Sequence, residues 1–306
     1  MSNAIEMSGL TKDYGSGRGV FDVDLAVNEG EMFGFVGTNG AGKTTTIRHM
    51  MGFLRQDRGS VRVLGMDAWE HASEIKRCVG YVPGEIAFPD LATGTAFLHS
   101  QAELLGLKDM RYANELIEKL QLDPSADLRR MSKGMKQKTA LVAALMGDPQ
   151  IILLDEPTTG LDPLMRLAFI EIIQSEHKRG KTVFMSSHMF EELETTCDRV
   201  ALIESGRIAD VVSMKSVRDR PVSEFKIEFN KRSDYRAFCT AGYTVVRDQP
   251  EYSQVTLSVP CDRTEKLFAD LSAFDVKFIA QVPYTLEKHF KEVLNDRMEK
   301  EKKDVQ

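Results

Sequence analysis

The chain has 306 residues, 42% hydrophobic and 28% charged, the composition of a folded protein with a sizeable core and about two domains. Its 40 Lys and Arg against 46 Asp and Glu leave a net charge of −6, which argues against a large basic nucleic-acid footprint, so no nucleic-acid partner is expected. No apolar run approaches the roughly 18 residues of a membrane span, and the opening MSNAIEMSGL lacks the basic and apolar regions of a secretory signal. Cys78, Cys197, Cys239 and Cys261 form no CxxC pair and read as reduced, core thiols of a soluble intracellular protein.

In chain order, Met32–Val36 reads as a buried strand, followed by a Gly-rich loop and a helix through Thr45–Met51. Residues 93–146 differ. Leu98, Ala102, Leu105, Leu116, Ile117 and Leu120 recur there at helical spacing with no strand between them, which predicts a helical subdomain. Ser132 is a good N-cap for a helix Lys133–Met146, closed by Gly147-Asp148-Pro149. Ile151–Asp155 is a second buried strand. Leu164–His177 is a helix ending at Gly180, Thr182–Ser186 a third strand, and Val200–Glu204 with Gly206–Asp210 a hairpin. This alternation predicts an α/β domain over residues 1–213, with helices on both faces of its sheet.

A charged stretch ending in Pro221 predicts a linker over 214–221. The accessory domain, 222–297, opens with Phe225, Ile227 and Phe229 alternating on one strand. Ser233 is read as the cap of a short helix, and Tyr243–Arg247 and Gln254–Val259 as strands. Asp262 is read as the cap of a second helix, with Glu265 in the capping-box position, before a last strand at Val276–Val282. The order β-α-β-β-α-β predicts a small α+β domain of split-βαβ type. A final helix begins near Thr285, and 298–306 read as a charged, frayed tail.

Gly37-Thr38-Asn39-Gly40-Ala41-Gly42-Lys43-Thr44 fits G-x-x-x-x-G-K-[ST] in the strand–loop–helix context that this pattern requires. The glycines let backbone N–H groups turn inward as an anion nest, and the following helix, through Thr45, aims its first amides at phosphates. Lys43 supplies a cation for the β- and γ-phosphates, and Thr44 a hydroxyl for Mg²⁺. Ile151–Leu154 run into Asp155 and Glu156, which places a carboxylate at the carboxyl edge of a parallel sheet. There Asp155 can hold Mg²⁺ and Glu156 can orient or deprotonate an attacking water.

In order and spacing, the motifs over residues 4–213 resemble the ATP-binding subunits of ABC transporters. Gly37–Thr44 is similar to the Walker A motif, and Ile151–Glu156 to Walker B with its catalytic glutamate. Thr159-Gly160-Leu161-Asp162 resembles the D-loop, and Ser186-Ser187-His188 the switch-histidine region. Met131-Ser132-Lys133-Gly134-Met135 resembles the signature, with Lys133 and Met135 at glycine-type and glutamine-type positions. Tyr14 occupies the usual place of the aromatic that stacks on adenine.

The resemblance implies a P-loop NTPase of ABC type, an ATPase using ATP and Mg²⁺, with His188 contacting the γ-phosphate and Asp162 at a dimer interface. Ser132 and Gly134 would face the γ-phosphate held by a second ATPase subunit, in a homodimer or with a similar chain, so that ATP closes the pair and hydrolysis releases it. A membrane-embedded permease would carry the translocation path and hold the chain at the inner face of the cell membrane. The single-site layout and the ending Tyr284–Leu294 resemble drug, antibiotic or lipid exporters. A soluble ABC-type ATPase outside transport and a nucleotide-dependent switch that hardly turns over are the alternatives. In Val82-Pro83-Gly84-Glu85 the family usually has glutamine at the position of Gly84, so Glu85, or a different coupling of the helical subdomain, would replace it.

Overall fold

The computed structural model describes residues 2–304. The chain divides into two compact units, with the boundary between Ser213 and Met214. The first unit opens with β1 (Asn3–Asp13), β2 (Gly19–Asn28), β3 (Met32–Val36), α1 (Lys43–Met50), β4 (Arg58–Val63) and β5 (Met66–Asp67). It continues with α2 (Ala72–Cys78), β6 (Val79–Val82), α3 (Gly94–Leu105), α4 (Arg111–Lys119) and α5 (Lys133–Leu145). It closes with β7 (Ile151–Asp155), α6 (Pro163–Lys178), β8 (Thr182–Ser187), α7 (Phe190–Thr196), β9 (Arg199–Glu204) and β10 (Arg207–Ser213).

Six strands form the main sheet in the order β10-β9-β3-β8-β7-β6, parallel from β9 to β6 with β10 antiparallel at one edge. β3, β7 and β8 are buried along their whole length, as their continuous apolar runs require of strands covered on both faces. Helices cover only one of those faces in full: α7 packs on β3 and β8, α6 on β8 and α5 on β6. The other face is a correction to the predicted layering. There Phe33, Phe35, Leu153 and Phe184 share a core with Ile47 and Met50 of α1 and with a second, antiparallel sheet, β2-β1-β4-β5, which supplies Ile5, Leu10, Val23 and Val63.

Between residues 93 and 146 the chain forms α3, α4 and α5. Thr93 caps α3 by accepting from the Ala96 amide, and Ser132 caps α5 by accepting from the Met135 amide.

The second unit starts not with an open linker but with α8 (Met214–Arg218), whose Met214 and Val217 are buried. It continues through β11 (Val222–Phe229), α9 (Arg232–Cys239), β12 (Thr244–Gln249), β13 (Gln254–Pro260), α10 (Thr264–Leu271), β14 (Val276–Val282) and α11 (Leu286–Asp304). The sheet order β12-β13-β11-β14, antiparallel throughout, is that of two interleaved split βαβ units. Phe225, Ile227 and Phe229 pack there against Phe238 and Leu267.

Neither expected cap forms in this unit. Ser233 lies inside α9, which follows Lys231, and α10 follows Arg263 after a short 3₁₀ turn at Cys261–Arg263. Of the segment read as a tail, residues 298–304 continue α11, and 305–306 lie outside the described residues. Of the cysteines only Cys197 is fully buried, and Cys261 is exposed.

Candidate active site

Three strand ends build the site. β3 pairs with β8 and β8 with β7, so their carboxyl ends are neighbours, and Asp155 lies in register with Ser186. The loop after β3, the acidic pair after β7 and the Ser-Ser-His run after β8 therefore converge on one edge. The loop and the acidic pair border a cavity of about 890 Å³, the size of a nucleotide-scale pocket, and the Ser-Ser-His run lies behind them, bonded to the acidic pair.

The loop enters α1 through Gly42, at φ 114°, a conformation that side chains other than glycine's rarely adopt. No side chain caps α1, and Lys43, Thr44 and Thr45 at its start line the cavity with Asn39, Gly40 and Gly42. Those first helical amides have no intrahelical partner, which makes the helix start an anion site. Lys43 is buried. Its ammonium donates to the carbonyls of Gly37 at 2.7 Å and Thr38 at 3.1 Å and pairs with Glu156 Oε1 at 3.2 Å.

Asp155, only 1% exposed, is held by two hydroxyls. Thr44 Oγ1 donates to its Oδ2 at 2.7 Å, and Ser186 Oγ donates to its Oδ1 at 2.7 Å. A hydroxyl and a carboxylate oxygen side by side at a phosphate nest are the hard oxygen donors that Mg²⁺ takes, so these residues fit that ion.

Glu156 has φ 47°, an uncommon state for a residue with a side chain. Its amide is anchored on β8, donating to Ser186 O at 3.2 Å and Ser186 Oγ at 3.1 Å. The carboxylate then faces Lys43 on one side and His188 Nδ1 at 3.3 Å on the other, while Thr159 Oγ1 donates to it at 3.4 Å. Burial pushes this carboxyl up, but the hydrogen bond and charge of Lys43, with His188 beside it, outweigh that and hold it below its ordinary value.

Tyr14 is 48% exposed and lines the cavity together with Arg18. Gly37 contributes through its carbonyl to Lys43, and His188 through its contact with Glu156. Three other residues of the predicted set stand outside this cavity within one chain. The Ser132 hydroxyl caps α5, Gly134 lies against Gly160, and the Asp162 carboxylate caps α6 by accepting from the Met165 amide at 3.0 Å.

The cavity also contains residues that motif reading passes over, Arg18, Arg48 and Tyr81, or names without placing them there, Lys133 and Thr159. Arg18 and Arg48 add positive charge, and Lys133 and Thr159 lie at the carboxylate end. Burial, reinforced by the charge of Asp155, pushes the Tyr81 phenol up to about 12, so it remains a neutral donor in the wall. Arg48 was legible as a cation on the helix after the loop, five residues beyond Lys43. Ser186 is named in the sequence only as part of the run before His188, and its bond to Asp155 follows from their register.

A family model described as ABC transporter matches residues 20–159. The bacitracin transport ATP-binding protein BcrA of Bacillus licheniformis is 33% identical over 232 residues, covering 74% of this chain and 76% of that protein. The Nod factor export ATP-binding protein I of Mesorhizobium japonicum is 36% identical over 209 residues, covering 67% of this chain and 62% of its own length. Among solved structures, an ATP binding subunit of an ABC transporter is 29% identical, with a TM-score of 0.65 over 70% of this chain and 92% of that one. The dimeric ATP-binding cassette MJ0796, in a post-hydrolysis state with ADP and Pi, is 21% identical and shares the fold with a TM-score of 0.63.

Proposed function

The chain belongs to the ATP-binding proteins of ABC transporters and is an ATPase, and we propose that it powers export through a separate membrane-embedded permease. What carries this reading is the polar chain Thr44–Asp155–Ser186 beside Lys43–Glu156–His188, assembled from three adjacent strand ends, with Lys43, Thr44, Asp155 and Glu156 lining one cavity. Export is supported by the bacitracin and Nod factor relatives, whose own names describe transport and export. Among the described residues no helix is long and apolar enough to cross a membrane, in keeping with a translocation path in another polypeptide. The proposed location is the cytoplasmic face of the membrane, reached through that permease.

In this reading the ATP phosphates lie on the amides from Gly37 to Thr45, lined by Asn39, Gly40 and Gly42, and Lys43 turns from the loop carbonyls to the β- and γ-phosphates. Tyr14 stacks on adenine at the outer end. Thr44 and Asp155 would hold Mg²⁺, which would neutralise charge on the phosphate oxygens. Glu156 orients the attacking water and accepts its proton as the bond from the γ-phosphorus to the bridging oxygen breaks, giving ADP and phosphate. His188 turns from Glu156 to donate a ring N–H to the γ-phosphate. Ser132 and Gly134, at the exposed start of α5, complete the site of a second copy, with Asp162 at the interface. The γ-phosphate then favours the closed pair and its loss releases it.

Purification of the tagged chain in detergent from its native membranes tests the transport assignment. A stoichiometric subunit with several membrane spans is expected. Cofractionation with ribosomes or DNA, and never with membranes, contradicts it.

A further inference from the structure

Gln137, on the second turn of α5, is 3% exposed, and its Nε2 is buried with no hydrogen-bond partner. An amide N–H in that position has lost its bonds to water and gained none, so it is a donor waiting for an acceptor. The residue lines a second cavity, of about 310 Å³, with Lys133, Lys136, Gly84, Glu85 and Ile86. Glu85 supplies the one carboxylate of that lining. It is exposed and, among the described residues, makes no hydrogen bond or ion pair.

Gly84 and Glu85 also line the nucleotide-sized cavity with Asp155 and Glu156, so the loop after β6 is a wall shared by the two spaces. That wall touches the acidic pair: a Cβ built on Gly84 would lie 3.3 Å from Asp155 Oδ2 and 3.4 Å from the Asp155 carbonyl oxygen. The two sides offer Glu85 opposite electrostatics. On the nucleotide side it stands with two further carboxylates, and a triphosphate adds more negative charge than one Mg²⁺ cancels. On the other side are Lys136, whose ammonium makes no ion pair among the described residues, and the unpaired N–H of Gln137. A carboxylate accepting from that amide would form a charge-assisted bond, among the stronger kinds.

We propose that Glu85 is a positioning residue: a bound triphosphate turns its carboxylate into the smaller cavity, where it accepts from Gln137 Nε2. The bond ties the loop beside Asp155 to α5, so the terminal phosphate is felt at that helix within one chain. The proposal rests on ATP binding at the larger cavity as described above, and in it Glu85 touches neither the phosphates nor the attacking water.

The test is NMR of the full chain with ¹⁵N-labelled glutamine side chains, following the Gln137 amide. A non-hydrolysable Mg-ATP analogue is expected to shift that signal downfield in the native chain and to leave it nearly in place in Glu85→Ala, an exposed substitution that spares the fold. Mg-ADP, which lacks the terminal phosphate, should also leave it nearly in place. Calorimetric affinities for the analogue give a second reading. The effect of Glu85→Ala should differ about three- to tenfold between the native background and Gln137→Met, the scale of coupling between two bonded groups. An equal shift without Glu85, an equal shift with ADP, or additive effects of the two substitutions would each overturn the proposal. Calorimetry on the native chain separates two failures. An analogue that binds without moving the Gln137 signal removes only this inference, and one that does not bind removes the nucleotide assignment with it.

Discussion

Replacing Ser186 by alanine removes one oxygen that serves two buried partners. Ser186 is fully buried, and its hydroxyl donates to Asp155 Oδ1 at 2.7 Å while accepting from the Glu156 amide at 3.1 Å. The amide keeps the Ser186 carbonyl, so most of the loss falls on the carboxylate, which retains only Thr44 on its other oxygen. A hydrogen bond to a buried charged group contributes about 1.5–3 kcal/mol, and alanine adds no bulk that clashes. At about 2–4 °C per kcal/mol for a unit of this size, the N-terminal unit should melt about 3–12 °C lower. Asp155 is also freed to rotate, so nucleotide affinity should fall more with Mg²⁺ than without it. Thermal unfolding followed by circular dichroism, with ATP titrations in magnesium and in chelator, measures both effects. An unchanged melting temperature together with an unchanged magnesium dependence would refute the two-hydroxyl clamp on Asp155.

Glu156 is held below its ordinary value of 4.5, so the stability it contributes is fully present above that value and is lost as pH falls through the lowered one. Glu156→Gln should therefore flatten the acid limb of an unfolding-versus-pH curve, and an identical limb in both proteins would contradict the Lys43 pairing. Gly160→Ala forces a side chain to φ 90° and onto the Lys133 stem, which should cost about 1–3 kcal/mol in urea unfolding. A neutral result would mean that the loop relaxes freely. In the second unit, Phe238 is 1% exposed and packs on Phe229, Tyr243 and Phe274. Phe238→Ala should destabilise that unit by about 3–5 kcal/mol, measurable by calorimetry.

What the sequence made legible follows from where its patterns are unbroken. The strands β3, β7 and β8 are continuous apolar runs ending at a glycine loop, an acidic pair and a serine pair, so both their burial and their edge could be read directly. The antiparallel sheet escaped because its alternation is interrupted. The pairing of β1 with β2 shifts register between Asn3 and Ile5, between Met7 and Leu10 and between Leu10 and Lys12, with Gly9 at φ 56° and Asp22 at φ 54°. Each such irregularity moves the following side chains relative to the sheet face, which erases a period of two. Ser233 and Asp262 failed as caps for a related reason. A capping residue type is common near helix starts, and tertiary packing set these starts a residue or two away. Lys133 was visible as a departure in a motif, but its place in the cavity lining and the contact of its stem with Gly160, 27 positions later, arise only in the fold.

Sedimentation velocity of Glu156→Gln with Mg-ATP tests ATP-driven closure most directly. If Glu156 activates the attacking water as proposed, its loss should leave binding intact and trap a dimer that carries two nucleotides and falls apart when ADP replaces ATP. A protein that remains monomeric with its nucleotide sites saturated would contradict closure around the γ-phosphate.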